Sequence, residues 1–294
     1  MTAGEKGGRR ALALLRNLSG KVAAQVGHFE RVNWEGRDVV LEATAHKGKV
    51  NIGRLSAFLD GAPVKVFGEV DLSAEQPTFD LQVHVKDLPL DKTAQRVSHH
   101  GGIFQTSLGA QVALHGSGLD PSTLSAGLEA RAEMSLSDGV VAGMDAMPLL
   151  SIPGQVLMLL AAPYVRDYEF YATNFGVTLR NGVLHFDKAA LRGKDSFDLG
   201  WEGEIGLDGR IRGFQFEMTP QSAFLGRMGS DGRRVMDFMG GTAVIPVAGT
   251  VSSPRPDMNA LRQAIVRSAV KEASPELGDI LDIIESLPRL RDKR

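Results

Sequence analysis

The sequence has no cysteine in 294 residues, which removes disulfides, thiolate metal sites and thiol nucleophiles together. The chain is therefore indifferent to redox compartment. Aromatic residues make up only 6%, with two Trp and three Tyr, so an aromatic-lined small-molecule pocket is not expected. No sign of charge dominates. The 33 Lys and Arg against 35 Asp and Glu leave −2, too even to hold nucleic-acid phosphates by bulk charge, and no nucleic-acid partner is expected.

Long apolar runs are also lacking. The basic start (Lys6, Arg9, Arg10) leads into ALALL, which Arg16 and Asn17 interrupt too soon for a signal-peptide core or a spanning helix. An amphipathic helix over residues 9–26 is expected instead. Ala146–Val165 carries no charge over 20 positions, but Pro148, Pro153, Gly154 and Pro163 cut it. What remains, Gln155–Ala162, reads as a short greasy helix that docks on a sheet or on lipid.

What is present is a core-forming 43% of apolar residues, 34 glycines and a persistent period of two. Val39, Leu41, Ala43 and Ala45 alternate with polar neighbours, as do Val64, Val66, Gly68 and Val70. Phe79, Leu81, Val83 and Val85 face away from Asp80, Gln82, His84 and Lys86. The pattern recurs over Leu128–Leu136 and in Phe214, Phe216 and Met218. Turn signals separate these runs: Lys47-Gly48, Asp60-Gly61, Asp138-Gly139, Asn181-Gly182 and Asp208-Gly209. Strands this closely spaced predict an antiparallel meander, not βαβ units.

The chain also echoes itself. Gly48–Ile52 matches Gly182–Phe186, and Gly68–Leu72 matches Gly203–Leu207, at offsets of 134 and 135. A bulge or a longer turn would produce that one-residue slip. Helices are expected at Leu90–Val97, Met147–Ala162, Gln221–Met239, Asp257–Lys271 and Pro275–Leu287, the last pair covering an edge or end of the sheet. Three regions result: an N-terminal helical segment, 1–28; a β domain with inserted helices, 29–252; and a C-terminal helical tail, 253–294.

Catalytic and metal-binding patterns are missing. Of seven histidines, His99 and His100 are adjacent and cannot easily reach one ion, while His46, His84, His115 and His185 lie on strand patterns. No HExxH, calcium loop, phosphate loop or G-x-S-x-G elbow occurs. Gly200, Gly203 and Gly206 sit inside a strand pattern and open no helix. Neither a catalytic residue, a metal nor a cofactor is expected. Arg227, Arg233 and Arg234 beside Met228, Met236, Phe238 and Met239 read either as a packed helix with a solvated face or as a contact for anionic head groups.

Several phrases in this order resemble the C-terminal part of AsmA-family proteins, the large inner-membrane-anchored periplasmic proteins of Gram-negative bacteria. They are GEVDLSAEQPTFDLQVHVKDLPLD (Gly68–Asp91), FQTSLGAQVALHGSGLD (Phe104–Asp120), LSAGLEARAEMSLSDGVVAGMD (Leu124–Asp145), FGVTLRNGVLHFDKAALRG (Phe175–Gly193), GEIGLDGRI (Gly203–Ile211) and IPVAGTVSSPRPDMNAL (Ile245–Leu261). The ordered set covers roughly residues 29–262. The resemblance implies a mainly β, α+β fold: a long, curved antiparallel sheet forming a hydrophobic groove, a partial barrel with flanking helices. It also implies a periplasmic, inner-membrane-associated role in phospholipid transport towards the outer membrane, or in outer-membrane biogenesis and maintenance. The family's N-terminal spanning helix and longer groove are missing, so a fragment of a longer anchored protein or a short relative with a separate role is expected.

The residues themselves leave two readings of the dry strand faces. A sheet that curls without a filling layer presents a trough in which acyl chains replace missing core, each buried methylene contributing about 0.8 kcal/mol. Val64, Val66, Phe79, Leu81, Val83, Val112, Leu114, Phe214 and Phe216 would line it, with phospholipid acyl chains as partners and a membrane surface or other envelope proteins as further ones. Alternatively, the same faces pack on the helices or close into a β core, giving a structural or interaction module of the envelope without lipid.

Overall fold

The computed structural model describes residues 16–17, 19–31, 34–93, 104–118, 123–124, 127–142, 167–228, 230, 233, 236–237 and 241–257. The helix expected at Met147–Ala162, residues 258–271 of the first C-terminal helix, the whole of the second, and His99-His100 lie outside them.

The described chain is mainly β. In order, the strands are β1 (Gly20–Arg31), β2 (Trp34–His46), β3 (Lys49–Leu59), β4 (Ala62–Asp71), β5 (Thr78–Pro89), β6 (Phe104–Gln105), β7 (Ser107–Ser117) and β8 (Glu129–Leu136). They continue with β9 (Gly139–Ala142), β10 (Asp167–Phe170), β11 (Thr173–Arg180), β12 (Val183–Leu191), β13 (Phe197–Gly206), β14 (Ile211–Pro220), β15 (Ala243–Thr250) and β16 (Ser253–Pro256). Among the described residues, α1 spans Ser222–Leu225, residues 90–93 form one further turn, and other helical positions include 123–124, 230, 233 and 236–237.

Thirteen strands belong to one large antiparallel sheet whose order, running from β1 to β16, is open and not a closed barrel. Two compact units divide the chain. The first holds Met1–Gly139, Ala172–Asp187 and Gly206–Asp208; the second holds Val140–Tyr171, Lys188–Ile205 and Gly209–Arg294. In the first, β1-β2-β3-β4-β5-β7-β8-β11 and the start of β12 are hydrogen-bonded in that order. In the second, the end of β12 is followed by β13-β14-β15-β16. A small sheet has the order β10-β9-β6.

Turn chemistry explains the meander. Lys47-Gly48, Asp60-Gly61 and Asn181-Gly182 all place both central residues at positive φ, between 48° and 89°. That is the type I′ hairpin, whose twist matches the strands it joins. At Asp208-Gly209 only the glycine is left-handed, and four residues separate β13 from β14. Asp138-Gly139 makes no hairpin: β8 pairs with β7 and β11, and the Asp138 carboxylate accepts the Ala172 amide at 2.6 Å.

Two expectations at the chain's ends are corrected. The helix over 9–26, and with it the helical segment 1–28, gives way at Gly20 to β1, which pairs with β2 from Gly20↔Ala45 to Arg31↔Trp34. Val22, Ala24 and Val26 satisfy period two as well as a helical stripe, and pairing with β2 decides between them. The tail expected from 253 begins as β16, paired with β15 through Thr250↔Ser253 to Val247↔Pro256. Of the helix expected over Gln221–Met239, α1 and the helical residues 230, 233, 236 and 237 are among the described residues.

The internal echo is structural. The Leu72 amide donates to the Gly48 carbonyl at 2.7 Å, and the Leu207 amide donates to the Gly182 carbonyl at 2.8 Å. Gly68 and Gly203 take the same unusual φ, 137° and 134°. In each the next strand's backbone fills the side-chain position: a Cβ on Gly68 would run into the Asp80 carbonyl oxygen, and one on Gly203 into Phe214 Cα. Gly68→Ala is therefore expected to cost about 2–4 kcal/mol in urea unfolding, from strain plus displaced backbone. Gly61→Ala, also at positive φ but with open space around it, should cost only about 1–2 kcal/mol. Equal losses would refute the close-approach account.

Candidate functional site

Register builds the site. In an antiparallel pair, residues directly opposite each other share a face. Following the pairs across the first unit, one row reads Ala24, Leu41, Leu55, Val66, Val83, Val112, Ala132, Val177 and Phe186 from β1 to β12. Every member is apolar. A row on the other face reads Lys21, Thr44, Asn51, Glu69, Asp80, His115 and Glu129. In the first unit's part of the large sheet the apolar row thus runs through nine strands, and a polar row on the opposite face runs from β1 to β8.

Three bulges keep the rows in phase. β2 shifts register between Arg37 and Val40, β3 between Ile52 and Leu55, and β5 between Val85 and Leu88. Asp38 and Asp87, in the first and last of these, sit at φ of 52° and 51°, a conformation Asp tolerates better than most residues. An extra residue without a bulge would turn every later side chain to the wrong face.

Seven of the nine expected lining residues lie together on the dry face. Val66, Val83 and Val112 occupy the row above; Leu81 opposes Leu114 and Gly68; Val64 opposes Val85 and Ala57. Phe79 opposes Val70 and Gly116, and its ring lies where a Gly116 Cβ would stand. All seven are half-buried, neither sealed in a core nor fully exposed. Leu41, Leu55, Ala132 and Val177 share the face and were not among the nine. Alternation in β2 and β8 carries the signal for Leu41 and Ala132, whereas the bulge in β3 breaks the alternation before Leu55.

Phe214 and Phe216 are corrected. They belong to the second unit and are 4% and 3% exposed, in a filled core. Phe216 opposes Trp201 and Ile245, Phe214 opposes Val247, and their rings meet edge to face at 5.3 Å. Tyr168, Phe170, Phe197, Leu199, Met218, Phe224 and Met236 complete that core. Phe197 stacks on Tyr168 at 5.0 Å and meets Phe224 edge-on at 5.8 Å.

The loop Arg192–Ser196 is tied into the second unit by polar contacts. The Tyr168 hydroxyl lies 2.9 Å from the Leu191 carbonyl and 3.0 Å from that of Phe197. Asp198 Oδ1 accepts the Gly193 amide at 3.1 Å and the Gln221 side-chain amide at 3.2 Å. Arg227 donates to the Asp195 carbonyl and lies over the Phe224 ring, its guanidinium carbon 5.5 Å from the centroid. Met228 and Met236 are buried while Arg227 and Arg233 are exposed, a packed face with a solvated side. Arg234, Phe238 and Met239 lie outside the described residues.

Charges on the sheet pair locally. Lys188 lies 2.7 Å from Glu217, and that carboxylate holds the ammonium above the ordinary lysine range. The Ser73 hydroxyl, then its amide, holds the Asp71 carboxyl below its usual range. Lys49–Asp71 and Arg180–Glu129 are exposed pairs at 3.6 and 3.7 Å, of a kind that contributes little to stability. Among the described residues, no three His, Asp or Glu side chains gather as metal ligands, and no helix is long and apolar enough to cross a membrane.

No protein-family model, curated protein or solved structure matches this chain. The geometry is that of a mostly aliphatic face in one unit, half-buried at the expected lining positions and buried at Ala43, Ala110 and Val177, and of an aromatic core in the other.

The contrast is measurable. Phe216→Ala is expected to cost about 3–5 kcal/mol in chemical denaturation, the range for a buried aromatic. Leu81→Ala should cost only about 1–2 kcal/mol, because its side chain keeps part of its solvent contact when folded. Comparable losses would mean that the dry face is as tightly filled as the core.

Burial, and secondly the Asp198 charge, push the Tyr168 hydroxyl above its ordinary value of 10.0. The fold thus favours the neutral phenol. Its contribution to stability is complete below pH 10.0 and is lost as pH rises towards the raised folded-state value. Tyr168→Phe should therefore lower stability at neutral pH, through the lost hydrogen bond, and flatten the decline measured above about pH 10. An unchanged alkaline slope in the variant would count against a buried neutral phenol.

Proposed function

We propose that the dry face of the first unit holds lipid acyl chains. On this reading the protein is a non-enzymatic lipid-binding or lipid-transfer module of the AsmA type, acting in the periplasm. It contributes to phospholipid transport between inner and outer membranes, or to outer-membrane biogenesis and maintenance. The sheet curves into a hydrophobic groove flanked by helices, with acyl chains along the dry rows and head groups in water.

The observation that carries this reading is the unbroken apolar register from β1 to β12, half-buried at all seven expected lining positions. Aliphatic side chains without polar partners suit disordered hydrocarbon, which asks for no directional bond. At about 0.8 kcal/mol per buried methylene, roughly a dozen buried methylenes contribute about 10 kcal/mol, the scale of the about 4–15 kcal/mol that association costs. The order of sequence phrases shared with the AsmA family supports the same reading. The sealed second unit then acts as scaffold.

Native mass spectrometry and lipid extraction of the purified full chain test the proposal. Phospholipid is expected to co-purify. Val83→Asp, which puts a charge among the dry rows, should cut the lipid-bound fraction about tenfold or more, while Gln82→Asp on the wet face leaves it unchanged. A folded protein that carries no lipid, or that loses it equally in both variants, would overturn the assignment in favour of an envelope interaction module.

A further inference from the structure

The two terminal strands of the large sheet carry opposite edge chemistry. At β16 the Asp257 amide points inward, donating to the Pro246 carbonyl on β15 at 2.8 Å. Amide direction alternates along a strand, so residue 255 also points inward and residues 254 and 256 point outward. Both outward positions are proline, Pro254 and Pro256, which have no N–H to offer. The β16 edge therefore has neither outward donor and cannot template another strand.

β1 has the reverse character. His46 and Lys49 close the Lys47-Gly48 hairpin as a pair, which turns the His46 amide towards β3 and the amides of Ala43, Ala45 and Lys47 towards β1. The Lys47 amide donates to the Ser19 hydroxyl, consistent with that direction. Gly20 and Val22, the partners of Ala45 and Ala43, face β2, so Lys21, Ala23, Gln25 and Gly27 point their backbone groups outward. No proline or bulge interrupts them, and between Val22 and Gly27 no side chain is charged. Val22 and Val26, on the dry face, are 37% and 45% exposed.

We propose that β1 is a docking edge and that its occupant is β1 of a second copy of this chain, paired antiparallel about a two-fold axis at Ala24. Such an isologous contact is self-complementary. Lys21 then opposes Gly27 and Ala23 opposes Gln25 through paired backbone bonds, while Val22 meets Val26 on the dry face. No like charges face each other along the pair. The dry face continues without a break from one copy into the next. Of the two terminal strands, only β1 combines outward donors with alternating apolar residues that fit its own register, which argues for a copy over an unrelated strand. This inference is independent of whether the dry face binds lipid.

Light scattering on the full chain, across a concentration series, should show the mass rise from 31.6 kDa towards twice that value. Ala23→Pro and Gln25→Pro each delete one outward N–H without touching the bonds to β2, and should restore the monomer at concentrations where the parent is dimeric. Ala24→Cys, in a chain with no other thiol, should oxidise to a covalent dimer, because Ala24 opposes its own copy in a non-hydrogen-bonded pair about 4.5 Å apart at Cα. Arg255→Cys on the proline edge should not. A parent that stays monomeric throughout, with Ala24→Cys no more cross-linked than Arg255→Cys, overturns the proposal. So does a monomer whose β1 outward amides resist hydrogen exchange, since the edge would then be covered by the chain itself.

Discussion

Cross-strand register in the first unit is the constraint on which the rest depends. A strand with a two-residue period has one correct phase relative to its neighbour, and a slip of one residue exchanges its faces. Across nine strands such a slip need occur only once to destroy the dry face. The chain avoids it with type I′ turns that leave no slack between strands and with bulges at Asp38, at Gly53-Arg54 and at Asp87. A single continuous apolar surface results, wide enough that its chemistry matters more than that of any single side chain in it.

The two units treat apolar surface differently. The second concentrates aromatic and methionine side chains in a sealed core, with Tyr168, Phe197, Phe224 and Met218 almost wholly removed from solvent. The Tyr168 hydroxyl, the Asp198 carboxylate and the Gln221 carboxamide there hold backbone groups of Leu191 and Gly193 at the Arg192–Ser196 loop. The first unit presents mostly Val, Leu and Ala, half-buried across β4, β5 and β7 at Val66, Val83 and Val112 and buried at Ala43 and Val177. Small aliphatic groups of this kind make a smooth surface with little geometric preference, which suits a mobile hydrocarbon better than a rigid ring.

The repeated element links these observations. A tight x-Gly turn, a strand, and a following strand whose glycine admits the backbone of the next occur twice, at Gly48/Gly68 and at Gly182/Gly203. A five-residue connection after β12 replaces the two-residue turn after β3, β12 is two residues shorter than β3, and β14 bulges opposite Gly203, where Gly213 and Phe214 both lie between the paired Arg212 and Gln215. The one-residue slip in the sequence echo is the net of three more residues in the connection and two fewer in the strand before it. A unit of this kind extends a sheet by accretion, and accretion leaves edges. Pro254 and Pro256 seal one of them.

Period-two alternation and the x-Gly turns sufficed, from sequence alone, to determine an antiparallel, mainly β chain, to separate wet from dry positions on most strands, and to pick out seven residues that do share one face. These signals are local, written within a few residues of each strand. Tertiary structure alone decided that residues 20–31 form a strand and not a helix, that Phe214 and Phe216 sit in a sealed core while Val83 and Leu114 do not, and that Leu55 joins the dry face across a bulge. Alternation marks a side chain as apolar-facing, but what lies opposite that face is contributed by residues distant in the chain. Cover and register are therefore properties of the assembled sheet.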